Sequence, residues 1–156
     1  MSEGTRLDIG PFRKMAPEIY DALAALSQSV FATGLEKDLV ELVKIRASQM
    51  NGCAYCVQFH INLGRQLGVA PAKIDQLAVW REARIFTPRE RIALHATEAL
   101  TSIAGGEIPD EEFEEFEEEF GDRGLAGLVA AIGVINAWNR IGVVYRFSPP
   151  ASKQGG

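Results

Sequence analysis

The sequence predicts an all-α protein, with one domain of about six or seven helices. Apolar residues recur at the three- and four-residue spacing of a helix in successive segments, and most segments end at glycine, proline or a capping residue. We find no run of alternating apolar and polar residues that would indicate a strand. The 156 residues, 47% of them apolar, provide enough side chains for one domain with a core and too few for two.

Four helices are predicted in the first half of the chain. Pro17 is tolerated as a first helical residue, and Gly34 ends the periodic run that follows it. Asn51 and Gly52, a pair suited to left-handed backbone, end the next helix. The four predicted helices cover residues 17–34, about 35–50, 53–68 and 71–77.

Three further helices are predicted in the second half. Thr87 caps the first of them and Glu90 completes a capping box, and the helix ends before Gly105. An acidic segment at 110–120 carries a stripe of phenylalanines, which indicates a solvated acidic face backed by a core face. The last helix, at about 125–145, is apolar on nearly all sides, so we expect it to be buried either centrally or between subunits.

These helices lie in one expected domain, residues 12–146, whose bounds come from the family resemblance given below; an N-terminal extension (1–11) precedes it and a flexible tail (147–156) follows. The first residues lack the pattern of a signal peptide, which favours a cytoplasmic location. Two asparagines and an arginine interrupt the apolar segment at 125–145, leaving less than the ~18–20 residues of a membrane span. The net charge of −5 provides no basic patch for phosphates. We therefore expect neither a membrane nor nucleic acid as a partner.

The two cysteines, Cys53 and Cys56, are the most informative feature of the sequence. They lie three residues apart, and two cysteines are too few for the disulfide scaffold of a secreted protein. In a reducing compartment such a close pair is more often catalytic or metal-binding than structural. No glycine-rich phosphate loop accompanies the pair, so we expect no nucleotide cofactor.

On a helix, Cys53, Cys56 and His60 share one stripe about 60° wide on the side that is buried. The cysteines occupy the first helical turn, where free backbone N–H groups and the helix dipole lower the pKa of a thiol. His60 is placed to accept or relay the thiol proton, and a second thiol captures a sulfenic acid as a disulfide. Glu41, on the preceding helix, is a candidate to orient His60. Taken alone, Glu41 also fits a solvated residue at the edge of its helix.

The spacing of these residues is specific. Glu41, eleven further residues, and then Cys53-x-Tyr55-Cys56-x3-His60 resemble the alkylhydroperoxidase D-like (AhpD-like) family of the carboxymuconolactone decarboxylase superfamily. Four further segments also resemble that family, namely 41–46, 50–56, 87–90 and 136–140. The resemblance covers residues 12–146, which is nearly the whole chain.

The resemblance implies an all-helical fold that assembles as trimers or hexamers and acts as a thiol peroxidase or disulfide reductase. It makes Cys56 the peroxidatic thiol, Cys53 the resolving thiol and proton donor, and Glu41 with His60 the proton relay. Tyr55 stands where the founding members carry a second histidine, and a tyrosine is not a base at neutral pH. The implied partners are a hydroperoxide substrate and a dithiol electron donor, which is of lipoyl type in the founding members.

Two alternatives remain open from the residues alone. Cys53, Cys56 and His60 are suitable zinc ligands, with Glu41 or His95 as a fourth, and would make the protein a zinc-binding structural oligomer. The pair also suits a redox sensor or a disulfide reductase that does not reduce peroxides. Decarboxylases of the same superfamily generally lack the paired cysteines, which argues against that activity.

Overall fold

Seven α-helices and two short 3₁₀-helices make up the part of the chain described by the computed structural model, residues 4–154. No strand occurs among these residues. The predicted all-α fold is therefore confirmed. The α-helices are α1 (Ile9–Met15), α2 (Pro17–Ser29), α3 (Lys37–Asn51), α4 (Ala54–Gln66), α5 (Pro71–Gln76), α6 (Pro88–Thr101) and α7 (Asp110–Tyr145), and the 3₁₀-helices are Val30–Thr33 and Leu77–Val79.

Helix α3 lies at the centre of the fold and packs against α4, α6 and α7. Its apolar residues are buried on almost every side, and Val43, Ile45 and Ala47 are fully enclosed. Such a helix is stabilised mainly by the apolar surface it removes from water, rather than by its own helix propensity. The position of α3 matters for function because it buries three polar side chains of its middle and last turns, namely Glu41, Lys44 and Ser48.

The acidic and the apolar segments of the second half form one helix with a break. Gly121 has φ 65° and ψ 169°, a backbone conformation that is essentially restricted to glycine. The two helices predicted at 110–120 and 125–145 therefore correspond to the two parts of α7 on either side of Gly121.

The C-terminal part of α7 is buried along one side only. Leu128, Ile132 and Ile135 pack into the core, whereas Val129 and Val144 are exposed. Within residues 4–154, α7 is the one helix long and apolar enough to cross a membrane by length and composition, and 44% of its apolar window is buried against the rest of the chain. The core helix of a globular domain also meets this criterion. The expectation that a membrane is not a partner therefore stays a prediction.

Both ends of the described chain pack against the helices. The predicted domain boundary at residue 12 falls inside α1, and the N–H groups of Arg6 and Leu7 donate to the Tyr145 carbonyl. Beyond residue 146, Phe147 is buried, and Asn62 of α4 donates to the carbonyl of Ala151. Residues 1–3 of the predicted extension and 155–156 of the predicted tail lie outside the described residues.

Candidate active site

A sharp turn places the paired cysteines at the start of α4. Gly52 ends α3 with a left-handed backbone (φ 70°), and Cys53 follows as the N-cap of α4 in an extended conformation. The amide of Cys53 donates to the carbonyl of Ser48, which closes the turn. Because glycine adopts positive φ without strain, Asn51-Gly52 allows the chain to reverse within one residue. The predicted position of the CxxC pair at the beginning of a helix is confirmed.

Cys53 and Cys56 are joined by a disulfide within the first turn of α4. Their Cα atoms lie 5.3 Å apart, and the two residues are only 2% and 4% exposed. The N–H of Cys56 donates to Cys53 Sγ at 3.3 Å. In the reduced form this N–H would stabilise a thiolate on Cys53, while the positive end of the helix dipole favours a thiolate on either sulfur.

Helix α7 passes directly over this disulfide at Gly142. A Cβ atom built at Gly142 would lie 2.7 Å from Cys53 Sγ and 3.4 Å from Cys56 Sγ. Side chains rarely approach this closely, so the absence of a side chain lets the α7 backbone cover the sulfurs. The covering backbone shields the disulfide from solvent on that side.

An asparagine network fixes α7 against the turn that precedes the cysteines. Asn51 Nδ2 donates to Asn136 Oδ1 and to Asn139 Oδ1, each at 2.9 Å. Asn139 is fully buried and donates in turn to Ser48 Oγ at 2.9 Å. Buried polar groups that are fully hydrogen-bonded specify one arrangement of the elements that carry them. The segment 136–140, singled out in the sequence without a role, therefore positions the turn.

Glu41 of α3 and His60 of α4 form a buried pair. Glu41 Oε2 lies 2.6 Å from His60 Nδ1, and the residues are 4% and 8% exposed. With the carboxylate ionised, Nδ1 carries the proton and donates it in this hydrogen bond, and Nε2 is the nitrogen that accepts a proton. Gly64, one turn after His60, faces α3, and a Cβ there would be in ordinary van der Waals contact with Glu41 Cβ at 3.7 Å.

Cys56, Glu41 and His60 all line one cavity of about 290 Å³. Most of the other lining side chains are apolar or aromatic and come from several helices: Tyr20, Phe31, Phe59, Leu63, Ile135 and Trp138. A cavity of this size and character suits a small organic molecule. Cys53 does not line it and instead lines a second recess, beside Gly142 and residues 146–149.

Tyr55 lies between the two cavities and lines both. Its ring stacks on Phe59 at a centroid distance of 5.7 Å and meets Phe147 edge-on at 5.5 Å. Burial raises the pKa of the Tyr55 phenol, and the nearby Tyr20 and Asp8 raise it further. At neutral pH Tyr55 is therefore a hydrogen-bond donor and not a base.

Lys44 is a polar residue of the cavity that sequence reasoning missed. It lies on α3 one turn after Glu41 and is 5% exposed, and Nζ donates to Ser27 Oγ of α2 at 3.1 Å. Burial lowers the pKa of Lys44, and the negative charge of Glu41 opposes that shift in part. Its neighbours Val43 and Ile45 are apolar, but Lys37 and Ser48 lie on the same helical face, so no clear signal in the sequence marked Lys44 as buried.

His95 is not brought to the cysteines. It lies on α6 with its ring nitrogens 3.7 Å and 3.5 Å from the carboxylates of Glu112 and Glu115, and its ring edge meets Phe116. His95 is therefore ruled out as a fourth zinc ligand. Among residues 4–154 no group of three His, Cys, Asp or Glu side chains is suited to a metal ion.

The chain is similar in sequence to a known protein family and to a curated protein. The model of the carboxymuconolactone decarboxylase family matches residues 17–99, more than half of the chain. The uncharacterized protein YdfG of Bacillus subtilis (strain 168) is 33% identical over 132 residues, which cover 85% of this chain and 90% of YdfG.

Solved structures show the same fold. A protein of unknown function from Agrobacterium tumefaciens, with a suggested antioxidant-defence role as AhpD, is 38% identical with a TM-score of 0.87, over 96% of this chain and all of that one. A peroxidase-related protein with an AhpD core from Ralstonia eutropha is 24% identical with a TM-score of 0.79, over 90% and 75% of the two chains. The debrominase Bmp8 is 19% identical with a TM-score of 0.76, over 88% and 74%. The last two share the fold alone.

The close approach at Gly142 predicts a redox-dependent effect of one added methyl group. In Gly142→Ala the new Cβ presses on Cys53 Sγ, and we expect the oxidised protein to lose about 1–3 kcal/mol of unfolding free energy. Reduction frees Cys53 to rotate, so the loss is smaller in the dithiol form. Denaturant unfolding of both forms measures this difference.

The matched control is Gly133→Ala on the same helix. A Cβ at Gly133 meets nothing within 4 Å, so alanine there stabilises both redox forms by up to about 1 kcal/mol. Equal losses for Gly142→Ala in the oxidised and reduced forms would contradict the proposed contact.

Proposed function

Because the chain belongs to the carboxymuconolactone decarboxylase family and has the AhpD-like fold, we propose that it is a thiol-dependent hydroperoxide reductase. In this proposal Cys53 and Cys56 cycle between dithiol and disulfide. The observation that supports it best is that Cys56 shares an apolar cavity with the imidazole that Glu41 positions. An organic hydroperoxide bound in that cavity meets a sulfur nucleophile and a proton carrier together.

The reaction begins with attack of the Cys56 thiolate on the terminal oxygen of the hydroperoxide. The O–O bond breaks, Cys56 becomes a sulfenic acid, and the alkoxide leaves as an alcohol after it takes a proton. The Cys53 thiol then attacks Cys56 Sγ, expels the hydroxyl group as water and forms the disulfide. The peroxide is reduced by two electrons and the dithiol is oxidised by two, so the step balances.

His60 and Glu41 carry the proton in this scheme. Nε2 of His60 accepts the Cys56 thiol proton and returns it to the alkoxide, while Glu41 holds the ring through Nδ1 and stabilises the imidazolium. Tyr55 is a hydrogen-bond donor to the bound peroxide, since its phenol stays protonated. A buried carboxylate–imidazole pair suits this task because water does not compete for the proton.

The dithiol is regenerated when an external dithiol, of which a lipoyl group is one type, reduces the disulfide and is itself oxidised to a disulfide. The donor attacks Cys53 from the recess at residues 146–149, which releases the Cys56 thiolate toward the cavity. The same exchange chemistry supports the second candidate, a reductase of disulfides in partner molecules. A cytoplasmic location belongs to this proposal, since the cycle needs a reducing compartment.

A homo-oligomer, trimer or hexamer, also belongs to the proposal. Val129, Val143 and Val144 of α7 are large apolar side chains that one chain leaves exposed. Association of copies over such a surface removes it from water. Light scattering in solution is expected to give a mass of three or six chains, and a monomer at micromolar concentration would contradict it.

Trapping of the sulfenic acid tests the two cysteine roles. Cys53→Ser removes the resolving thiol, so one equivalent of hydroperoxide is expected to leave a sulfenic acid on Cys56 that dimedone captures. Cys56→Ser is expected to lose all turnover and to take up no dimedone. Peptide mass spectrometry locates the adduct, and an adduct on Cys53 with none on Cys56 would reverse the assignment.

The proposed relay predicts that removal of Glu41 or of His60 lowers kcat/KM to the same extent, and that the two losses do not add. Glu41→Gln and His60→Ala are each expected to lower kcat/KM for cumene hydroperoxide about 100-fold or more, and the double variant no further, because the two residues act as a unit. Steady-state peroxide consumption measures the effect. His95→Ala is the control, since it removes the other histidine at a distant position. The relay is refuted if both single variants stay within twofold of the native protein.

A further inference from the structure

The cavity contains a buried cation that the reaction scheme does not use. Among the described residues Lys44 is the only lysine or arginine that lines the cavity. Its hydrogen-bond partner is the neutral hydroxyl of Ser27, at 3.1 Å, and no carboxylate within residues 4–154 forms an ion pair with it. The nearby carboxylate of Glu41 is hydrogen-bonded to His60 instead.

This arrangement is costly for the protein on its own. An ammonium group removed from water loses hydration energy, and a neutral hydroxyl replaces only a small part of it. An ammonium group has three N–H donors, of which Ser27 accepts one. Burial accordingly lowers the pKa of Lys44. An anionic group that enters the cavity compensates this cost, since a charge-assisted hydrogen bond is stronger away from bulk water.

The other residues of the cavity and its volume indicate the size and the apolar character of a molecule that would carry this anionic group. Phe31, Phe59 and Trp138 supply flat apolar walls, and Cys56 with His60 marks the place of the reacting peroxide. A volume of about 290 Å³ corresponds to roughly ten water molecules, which suits a single aromatic ring or a short branched chain. A carboxylate is a small organic anion whose oxygens accept charge-assisted hydrogen bonds from an ammonium group, and it adds little volume to such a body.

We propose that the cavity selects a small organic hydroperoxide that carries a carboxylate, and that Lys44 Nζ binds this carboxylate while the apolar body lies against the aromatic walls. The inference rests on the proposed function, because the peroxide group is what Cys56 would reduce. It makes Lys44 a specificity-determining residue of the binding site.

A pair of substrates that differ only in charge tests this inference. Cumene hydroperoxide and its para-carboxylate have the same tertiary peroxide and the same ring. We expect native kcat/KM to favour the carboxylate about tenfold or more, mainly through KM. In Lys44→Met the preference is expected to fall to about one, and in Lys44→Arg to persist in part. Lys14→Met on α1 removes an equal charge from an exposed site and is expected to keep the native preference.

Binding without turnover provides the second measurement. The oxidised protein is titrated with 4-isopropylbenzoate and with its neutral amide, and Trp138 fluorescence reports occupancy of the cavity. In the native protein the carboxylate is expected to bind about tenfold more tightly than the amide. In Lys44→Met the two analogues are expected to bind with equal affinity. Circular dichroism of each variant confirms that it is folded.

The outcomes separate the two proposals. If the native protein binds 4-isopropylbenzoate through Lys44 but reduces neither hydroperoxide, the proposed function fails and the anion site stands. If it reduces both hydroperoxides with equal kcat/KM and binds both analogues equally, the inference fails and the proposed function stands. If Lys44→Met lowers kcat/KM equally for both hydroperoxides, Lys44 is a positioning residue for Glu41. That result also overturns the inference.

Discussion

The hydrogen bond between Glu41 and His60 is the interaction on which the site depends. It joins the central helix α3 to α4 through two side chains that are almost completely buried. A carboxylate buried without a partner would be strongly destabilising, so the two helices must lie close enough for the bond to form. The left-handed Gly52 turns the chain so that α4 returns along α3. The same turn sets Cys53 at the start of α4.

Local signals in the sequence were sufficient for most of the fold. The capping box of Thr87 and Glu90 forms at the start of α6, and Asn51-Gly52 ends α3 in left-handed backbone. Helical spacing predicted Cys53, Cys56 and His60 on one side of α4. Cys56 and His60 do line the cavity, whereas Cys53 lines the other recess because it is the extended N-cap and not part of the helix. These features depend on contacts within a few residues of chain, which periodicity and capping rules describe directly.

Contacts between distant parts of the chain were beyond such reasoning. Lys44 resembles an ordinary surface lysine until α2 and α7 cover it, and nothing near Gly142 in the sequence indicates that it faces Cys53. Phe147 appeared to begin a loose tail, yet its ring packs on those of Phe12 and Tyr55. Each of these depends on how whole helices pack, and a single sequence contains no direct record of that packing.

The position of Tyr55 and Phe147 between the cavity and the recess has a kinetic consequence for the proposed cycle. Those rings line both the inner cavity, which Cys56 faces, and the outer recess, which Cys53 faces. In the proposed cycle the oxidant would then reach the Cys56 thiolate through the cavity, and the reductant would reach Cys53 of the disulfide through the recess, so the two would not compete for one entrance. A high concentration of either substrate would leave the path of the other open, and neither half-reaction would have to wait for the opposite side to empty.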